Sequence, residues 1–67
     1  MRDDGSLTTV DRQVLQPMLS GLPDRAIARQ VGISPRTVQR RLRALMDTAH
    51  VSSRMHLGWH AMSNNWV

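Results

Sequence analysis

A signal that ends a helix and a signal that starts one lie close together in the middle of the chain, and they leave room for only a short turn between two helices. The stretch "LPDRAIARQVGISPRTVQ" contains both of them. Pro23 suits the first position of a helix, and Gly32 can adopt the positive φ that ends one. Ser34 is a good N-cap for the next helix, with Pro35 at its first position. The pattern therefore predicts a helix, a three-residue turn and a second helix.

Apolar residues at helical spacing give each of these two helices one side to bury. Ile27 and Val31 share a side of a helix over about 23–31, and the small Ala28 allows a close crossing with the next helix. A helix over about 35–48, projected at about 100° per residue, also has one apolar side. Its members are Val38, Leu42, Leu45, Met46 and Ala49.

A further helix is predicted before these two. Thr8 can cap it, with Asp11 completing a weakened capping box. Its apolar positions are Val10, Val14, Leu15 and Met18. Pro17 removes a backbone donor, so we expect a kink or an early end near Gln16, with Gly21 closing the segment.

The chain has 67 residues and no cysteine, so one small all-α domain over 7–67 must be held by packing or by a partner. Residues 1–6 are predicted to be a disordered arm or an edge of the expressed segment. The chain shows no secretory signal and no stretch near the roughly 20 apolar residues that span a bilayer. We expect a soluble, cytoplasmic protein.

The positive charge is concentrated in one helix. Nine arginines against five aspartates give a net charge of +4, with no lysine or glutamate. Four arginines fall within "GISPRTVQRRLRAL", namely Arg36, Arg40, Arg41 and Arg43, and the aspartates equal the other five in number. Such an excess is typical of a surface that binds a polyanion, nucleic acid or anionic lipid. A solvated charged face is the alternative, although such faces usually mix both signs.

The helical projection places Arg36, Arg40 and Arg43 together, opposite the apolar side, with Gln39 beside them. Arg41 lies between the two sides, where its stem can pack while its guanidinium reaches a phosphate or a carboxylate. Membrane binding fits less well, because no Trp or Phe adjoins the arginines and the apolar side is needed for the core.

A helix of this diameter fits the major groove of B-DNA, where Arg can pair bidentately with guanine and Gln with adenine. Groups near the helix N-terminus are better placed for phosphate. The predicted base-reading residues are Gln39, Arg40 and Arg43, and the predicted phosphate contacts are Ser34, Arg36 and Thr37.

Together with "LTTVDRQVL" and "VSSR", the central stretch resembles the LuxR-type (GerE or FixJ-like) DNA-binding domain of bacterial transcription regulators over about residues 7–62. The resemblance implies four helices, the third in the major groove and the fourth often dimerising, so we expect a homodimer on an inverted repeat. The resemblance also implies contacts with the DNA backbone at Arg25, Thr37 and Arg54. It also implies a receiver or ligand-sensing domain upstream in a longer chain, although Met1 would suit a free-standing protein.

The chain departs from the family's usual residues at several positions. Where the family usually has Arg-Glu, this chain has Val10-Asp11, and where it usually has Lys and His, this chain has Gln39 and Arg41. The family's usual Lys-Leu-Gly is replaced by Thr48-Ala49-His50. Phosphate contacts are therefore expected to be redistributed, and the path of the chain after the third helix is left open.

The last segment predicts a fourth helix, capped by Ser53, with two apolar sides. Leu57 and Ala61 are predicted to pack on the third helix. The other side is a stripe of Met55, Trp59, Met62 and Trp66. We expect this stripe to form a symmetric dimer contact, with Gly58 permitting close approach. The alternative is that the tryptophans complete the core or dock on an upstream domain.

His56 and His60 are the only metal-ligand spacing in the sequence, and two surface histidines are the commoner explanation. No nucleophile stands beside a histidine and a carboxylate, so we expect neither an enzyme nor a metal or cofactor. Two other interpretations stay open: a helix-turn-helix of the sigma-factor or recombinase type, and a basic protein-interaction module.

Overall fold

The structure, a computed structural model, describes residues 7–67, and the regular elements in that range are all α-helices. They are α1 (Thr9–Leu19), α2 (Asp24–Val31), α3 (Pro35–Ala49) and α4 (Arg54–Ser63). The predicted all-α, four-helix fold is confirmed. The arm predicted for residues 1–6 lies outside the described residues.

One hydrophobic core joins the four helices. Its buried apolar residues are Val14, Leu15, Ile27, Ala28, Val38, Leu42, Leu45, Ala49, Leu57 and Ala61. They include the sides that the helical spacing predicted for α3 and α4, except that Met46 is only partly buried. Each helix thus buries one side, and its other side remains available for contacts with other molecules.

The capping box predicted for α1 is present. The backbone N–H of Asp11 donates to Thr8 Oγ1 at 3.1 Å, and the N–H of Thr8 donates to Asp11 Oδ2 at 3.1 Å. The Asp11 carboxylate is buried, with only 5% of the residue exposed. A buried carboxylate needs compensating partners, and the Thr8 amide is the first of them.

Of the two outcomes predicted at Pro17, a kink or an early end near Gln16, the early end is wrong, because the helix continues to Leu19 with Pro17 buried inside it. Proline removes only its own N–H, and later residues can still donate to carbonyls of the last turn. Leu22 N–H donates to Pro17 O at 3.1 Å, while Gly21 takes a φ of 86°. This Schellman-type closure confirms the predicted role of Gly21.

The turn between α2 and α3 is built from a left-handed glycine. Gly32 has a φ of 85°, and the N–H groups of Gly32 and Ile33 both donate to Ala28 O, at 2.8 and 3.0 Å. Pro23 was predicted at the first position of α2, but its ψ of 162° is extended, so it is the N-cap and the helix begins at Asp24. The helix-turn-helix itself is present as predicted.

His50 ends α3 and determines the direction of the chain after it. It adopts the left-handed conformation, with φ 58° and ψ 41°, and the N–H of Val51 donates to Met46 O at 3.0 Å. This is the position and conformation that glycine fills most easily at a helix end. The helix therefore ends as a glycine-terminated helix would, at the cost of a histidine in a region that L-residues rarely occupy.

The fourth helix follows directly. Ser53 caps it, its Oγ accepting from the N–H of His56 at 3.2 Å, and Leu57 and Ala61 are fully buried in the core, as predicted. Among the helices that the structure describes, none is long and apolar enough to cross a membrane.

Candidate nucleic-acid interface

The outer side of α3 carries four exposed polar side chains in a row. We call this the arginine face; it consists of Arg36, Gln39, Arg40 and Arg43. Val38 and Leu42, on the other side of the same helix, are fully buried. The separation that the helical projection predicted is therefore confirmed, because packing of the buried side fixes the rotation of α3.

The arginine face is one wall of an open cleft of about 490 Å³. Its lining consists of Arg36, Gln39, Arg40, Arg43, Met46 and Arg54. Arg54, the first residue of α4, is thus brought beside α3, although it is distant in sequence. Arg25, another predicted phosphate contact, is exposed in the first turn of α2 and does not line this cleft.

The hydroxyl groups at the start of α3 form a small hydrogen-bonded unit. Ser34 Oγ accepts from the N–H of Thr37 at 3.1 Å, and the two hydroxyl oxygens lie 2.9 Å apart. Only one hydroxyl hydrogen is needed for the bond between them, so the other can be donated outward. The unit caps the helix and can still offer a donor to an anion.

Arg41 is directed toward the start of α1 rather than to the arginine face. Its Nη1 lies 3.8 Å from Oδ1 of Asp11, the buried acid of the α1 capping box. The distance is that of an ion pair without a direct hydrogen bond. Of the two partners predicted for this arginine, a phosphate or a carboxylate, the structure provides the carboxylate. Arg41 therefore ties α3 to the start of α1.

Arg54 is paired as well, and its partner is Asp24 at the start of α2. Nη1 donates to Oδ1 at 2.6 Å and Nη2 donates to Oδ2 at 2.9 Å, a bidentate ion pair. Hydrogen bonding from Arg54 lowers the pKa of Asp24, and burial opposes this shift only in part. The carboxylate is thus kept ionised near the arginine face.

Asp24 is the residue of this region that the sequence did not indicate. Its partner stands 30 positions further along the chain, so no local spacing could reveal the pair. Arg41 and Asp11 are likewise 30 positions apart. Both pairs depend on how the helices cross, which helical periodicity does not determine.

A second exposed surface lies on α4, and it is apolar. Met55, Trp59 and Met62 are 82%, 70% and 61% exposed, and we call these three residues the apolar surface. Beside it runs an open groove against the end of α1, lined in part by Met18, Leu19 and Leu22. These three residues lie on one side of α4, as their helical spacing predicted.

Trp66, the fourth residue of the predicted stripe, does not belong to this surface. The helix ends at Ser63, and Asn65 takes a positive φ of 57°, so the helical spacing does not extend to Trp66. Its side chain is partly buried against the core and meets the ring of His60 edge-on, with ring centroids 4.8 Å apart. The prediction that Trp66 continues the helical stripe of Met55, Trp59 and Met62 is therefore wrong.

Gly58 also has a different role from the predicted one. It is buried within the chain, and a Cβ at this position would lie 2.7 Å from Leu19 Cδ2. The missing side chain thus allows α4 to cross the end of α1. The close approach that glycine permits here is intramolecular, which corrects the prediction that it serves a dimer contact.

The two histidines of α4 have other partners. His56 Nδ1 lies 2.9 Å from Ser53 Oγ, and His60 packs on Trp66. Within residues 7–67 there is no group of three or more His, Cys, Asp or Glu residues that could hold a metal ion.

A short turn between two helices, with exposed arginines on the second helix, defines the helix-turn-helix class of DNA-binding domains. The family model described as bacterial regulatory proteins, luxR family, matches residues 5–61. The chain therefore belongs to the LuxR family, whose domain is that of DNA-binding transcription regulators. Comparison with curated proteins and with solved structures gave no significant match.

Proposed function

We propose that α3 lies in the major groove of double-stranded DNA and that Gln39, Arg40 and Arg43 contact base edges. The observation that carries this proposal is the arginine face itself, which is exposed along one side of a helix whose other side is buried. A helix 10 to 12 Å across fits a groove of about 12 Å. Arg and Gln match the guanine and adenine edges there.

The residues around the arginine face provide phosphate contacts. Ser34, Arg36 and Thr37 stand at the N-terminus of α3, where backbone N–H groups and the helix dipole favour an anion. Arg25 and Arg54, at the starts of α2 and α4, are the other two contacts. Phosphate contacts fix the register of the domain on DNA, and base contacts select the sequence.

The domain binds DNA as a homodimer through α4. The apolar surface supports this part of the proposal, because three large exposed apolar side chains on one helix are unfavourable in water unless a partner covers them. A second copy supplies the same surface, as a two-fold interface requires. The α3 helices of the two copies then contact an inverted repeat whose half-sites lie about one turn of the DNA helix apart.

Selection of binding sites from random DNA duplexes tests the base-reading residues. The wild-type domain should enrich one sequence, and affinity for that sequence should fall steeply with salt. Arg40→Ala and Gln39→Ala should each relax the preference at one base pair by about 1–3 kcal/mol. Arg36→Ala is the matched control, since loss of a phosphate contact should weaken binding to all sequences alike.

Two outcomes would overturn the assignment. In one, the wild-type domain enriches no sequence; in the other, Arg40→Ala and Gln39→Ala keep every base preference of the wild type. The symmetry of the selected site tests the dimer separately. An inverted repeat supports a dimer on DNA, whereas a single asymmetric half-site contradicts it.

A further inference from the structure

The apolar surface of α4 carries two exposed thioethers. Met55 and Met62 are 82% and 61% exposed, and they lie one turn before and one turn after Trp59 on the same side of the helix. The other two methionines that the structure describes, Met18 and Met46, are partly buried against the core. The most accessible sulfur atoms between residues 7 and 67 therefore belong to the surface that is proposed to self-associate.

These thioethers are the groups that a two-electron oxidant meets first. The chain has no cysteine, so no thiolate competes for the oxidant. An oxidant must reach the sulfur atom, so exposure sets the order of reaction among the methionines. Met55 and Met62 are expected to react before the partly buried Met18 and Met46.

The reaction with a hydroperoxide, ROOH, transfers one oxygen atom. A lone pair of the methionine Sδ attacks the terminal peroxide oxygen, and the S–O bond forms as the O–O bond breaks. The oxygen attached to R leaves and takes the proton of the transferred hydroxyl, giving an alcohol, or water where R is hydrogen. Sulfur loses two electrons and the peroxide gains two. The sulfoxide is polar, and sulfoxide reductases convert it back to the thioether.

A sulfoxide is unfavourable in the proposed two-fold interface. In that interface the apolar surface of each copy faces the same three side chains of the second copy. Among these side chains, the indole N–H of Trp59 is the single hydrogen-bond donor, so the surface offers half as many donors as sulfoxide oxygens. Oxygens without a donor would be buried unpaired, which opposes association.

The arginine face lies apart from this chemistry. Met46 is the methionine that lines the cleft beside that face, and it is partly buried. Oxidation of the exposed methionines should therefore leave the contacts of each monomer with a half-site in place. Binding to an inverted repeat should weaken only because the two copies no longer associate.

We propose that Met55 and Met62 are modification sites, at which oxidation to the sulfoxide by a hydroperoxide disrupts the homodimer. The proposal rests on the proposed function, because it requires the apolar surface to form the dimer. The oxidant acts on the monomer, whose apolar surface is exposed, and the oxidised monomer no longer associates. Self-association is thereby under reversible redox control in a chain without a thiol.

Peptide mass mapping after treatment with a limiting dose of hydrogen peroxide tests the sites. At a protein concentration well below the dissociation constant of the dimer, Met55 and Met62 should gain one oxygen atom several times faster than Met18 and Met46. Well above that constant, the interface covers the exposed sulfur atoms, so the difference in rate should become smaller.

Sedimentation of the treated protein measures the consequence. The oxidised wild type should self-associate about a hundredfold more weakly, as expected for two unpaired polar groups. Methionine sulfoxide reductases should restore association, and circular dichroism confirms that the oxidised domain is folded. The double variant Met55→Leu/Met62→Leu keeps an apolar surface, so it should associate before and after peroxide treatment. Met46→Leu is the matched control, because it keeps both exposed thioethers and should remain sensitive to peroxide.

Three results would overturn the proposal. In the first, Met55 and Met62 gain oxygen no faster than Met18 and Met46. In the second, the oxidised wild type associates as strongly as the untreated protein. In the third, the double leucine variant loses association after peroxide treatment as the wild type does. An untreated wild type that stays monomeric at every concentration would instead overturn the proposed dimer and, with it, the effect of oxidation on association.

Discussion

The outer sides of α3 and α4 differ in how they interact with water. The arginine face of α3 is charged and well hydrated, so it is stable in solution and attracts phosphate. The apolar surface of α4 exposes Met55, Trp59 and Met62, whose burial would gain about 25 cal/mol per Å². Both helices rest on the same core. The difference indicates that the proposed DNA contact and the proposed self-association can be altered independently.

The largest effect is expected on self-association. Trp59→Ala should weaken the proposed dimer by about 4 kcal/mol, roughly a thousandfold, because a buried Trp is worth about 2 kcal/mol and a two-fold interface contains it twice. Sedimentation at micromolar concentration measures the change. DNA contacts by the arginine face of each monomer should remain.

Gly58→Ala is the matched control for that experiment. Gly58 is buried against the flexible end of Leu19, so an added methyl group shifts Leu19 and leaves the apolar surface in place. Self-association should therefore stay at the wild-type level. If Gly58→Ala breaks the dimer as strongly as Trp59→Ala, then Gly58 belongs to the interface. If Trp59→Ala leaves the mass unchanged, α4 does not dimerise.

A smaller effect is expected for substitutions of two arginines of α3, which should change different properties. Arg43→Ala should cost about 1–3 kcal/mol at one base pair of the selected site and leave stability nearly unchanged. Arg41→Ala should instead lower the free energy of unfolding by about 1 kcal/mol, because Asp11 loses its ion-pair partner. Duplex titrations and thermal denaturation of both variants measure these effects. If both variants showed the same base preferences, the assignment of Arg43 to base reading and of Arg41 to stability would be contradicted.

Much of α3 could be predicted from the sequence because its start carries local signals and one of its sides is apolar. Ser34 and Pro35 set the start, and the buried residues Val38 and Leu42 then fix which side faces outward. The end of α4 was less predictable, since helical spacing alone does not show where a helix stops. Asn65, a residue that tolerates positive φ, was the available signal that Trp66 lies outside the helix.

The relations between helices could not be predicted. The Asp24–Arg54 pair and the packing of Gly58 on Leu19 depend on how α4 crosses α2 and α1. Hydrophobic periodicity gives the rotation of each helix about its own axis and says nothing about the angle between two helices. The face of α3 was thus predictable, whereas the Asp24–Arg54 ion pair beside it was not.

The smallest effect is expected at the junction between the two surfaces. His50 connects α3 to α4 with a φ of 58°, and an L-residue there costs about 1 kcal/mol relative to glycine. His50→Gly should therefore raise the free energy of unfolding by about 0.5 kcal/mol, because the greater entropy that glycine gives the unfolded chain offsets part of the gain. Chemical denaturation measures the change.

Ala44→Gly is the control for this prediction, because it should change the free energy of unfolding in the opposite direction. Ala44 is exposed in the middle of α3, where glycine should cost about 1 kcal/mol. If His50→Gly destabilises the domain as Ala44→Gly does, the left-handed end of α3 does not exist in solution. His50→Gly should stabilise the domain and leave base preference and self-association unchanged. That result would show that neither the arginine face nor the apolar surface depends on the side chain of His50.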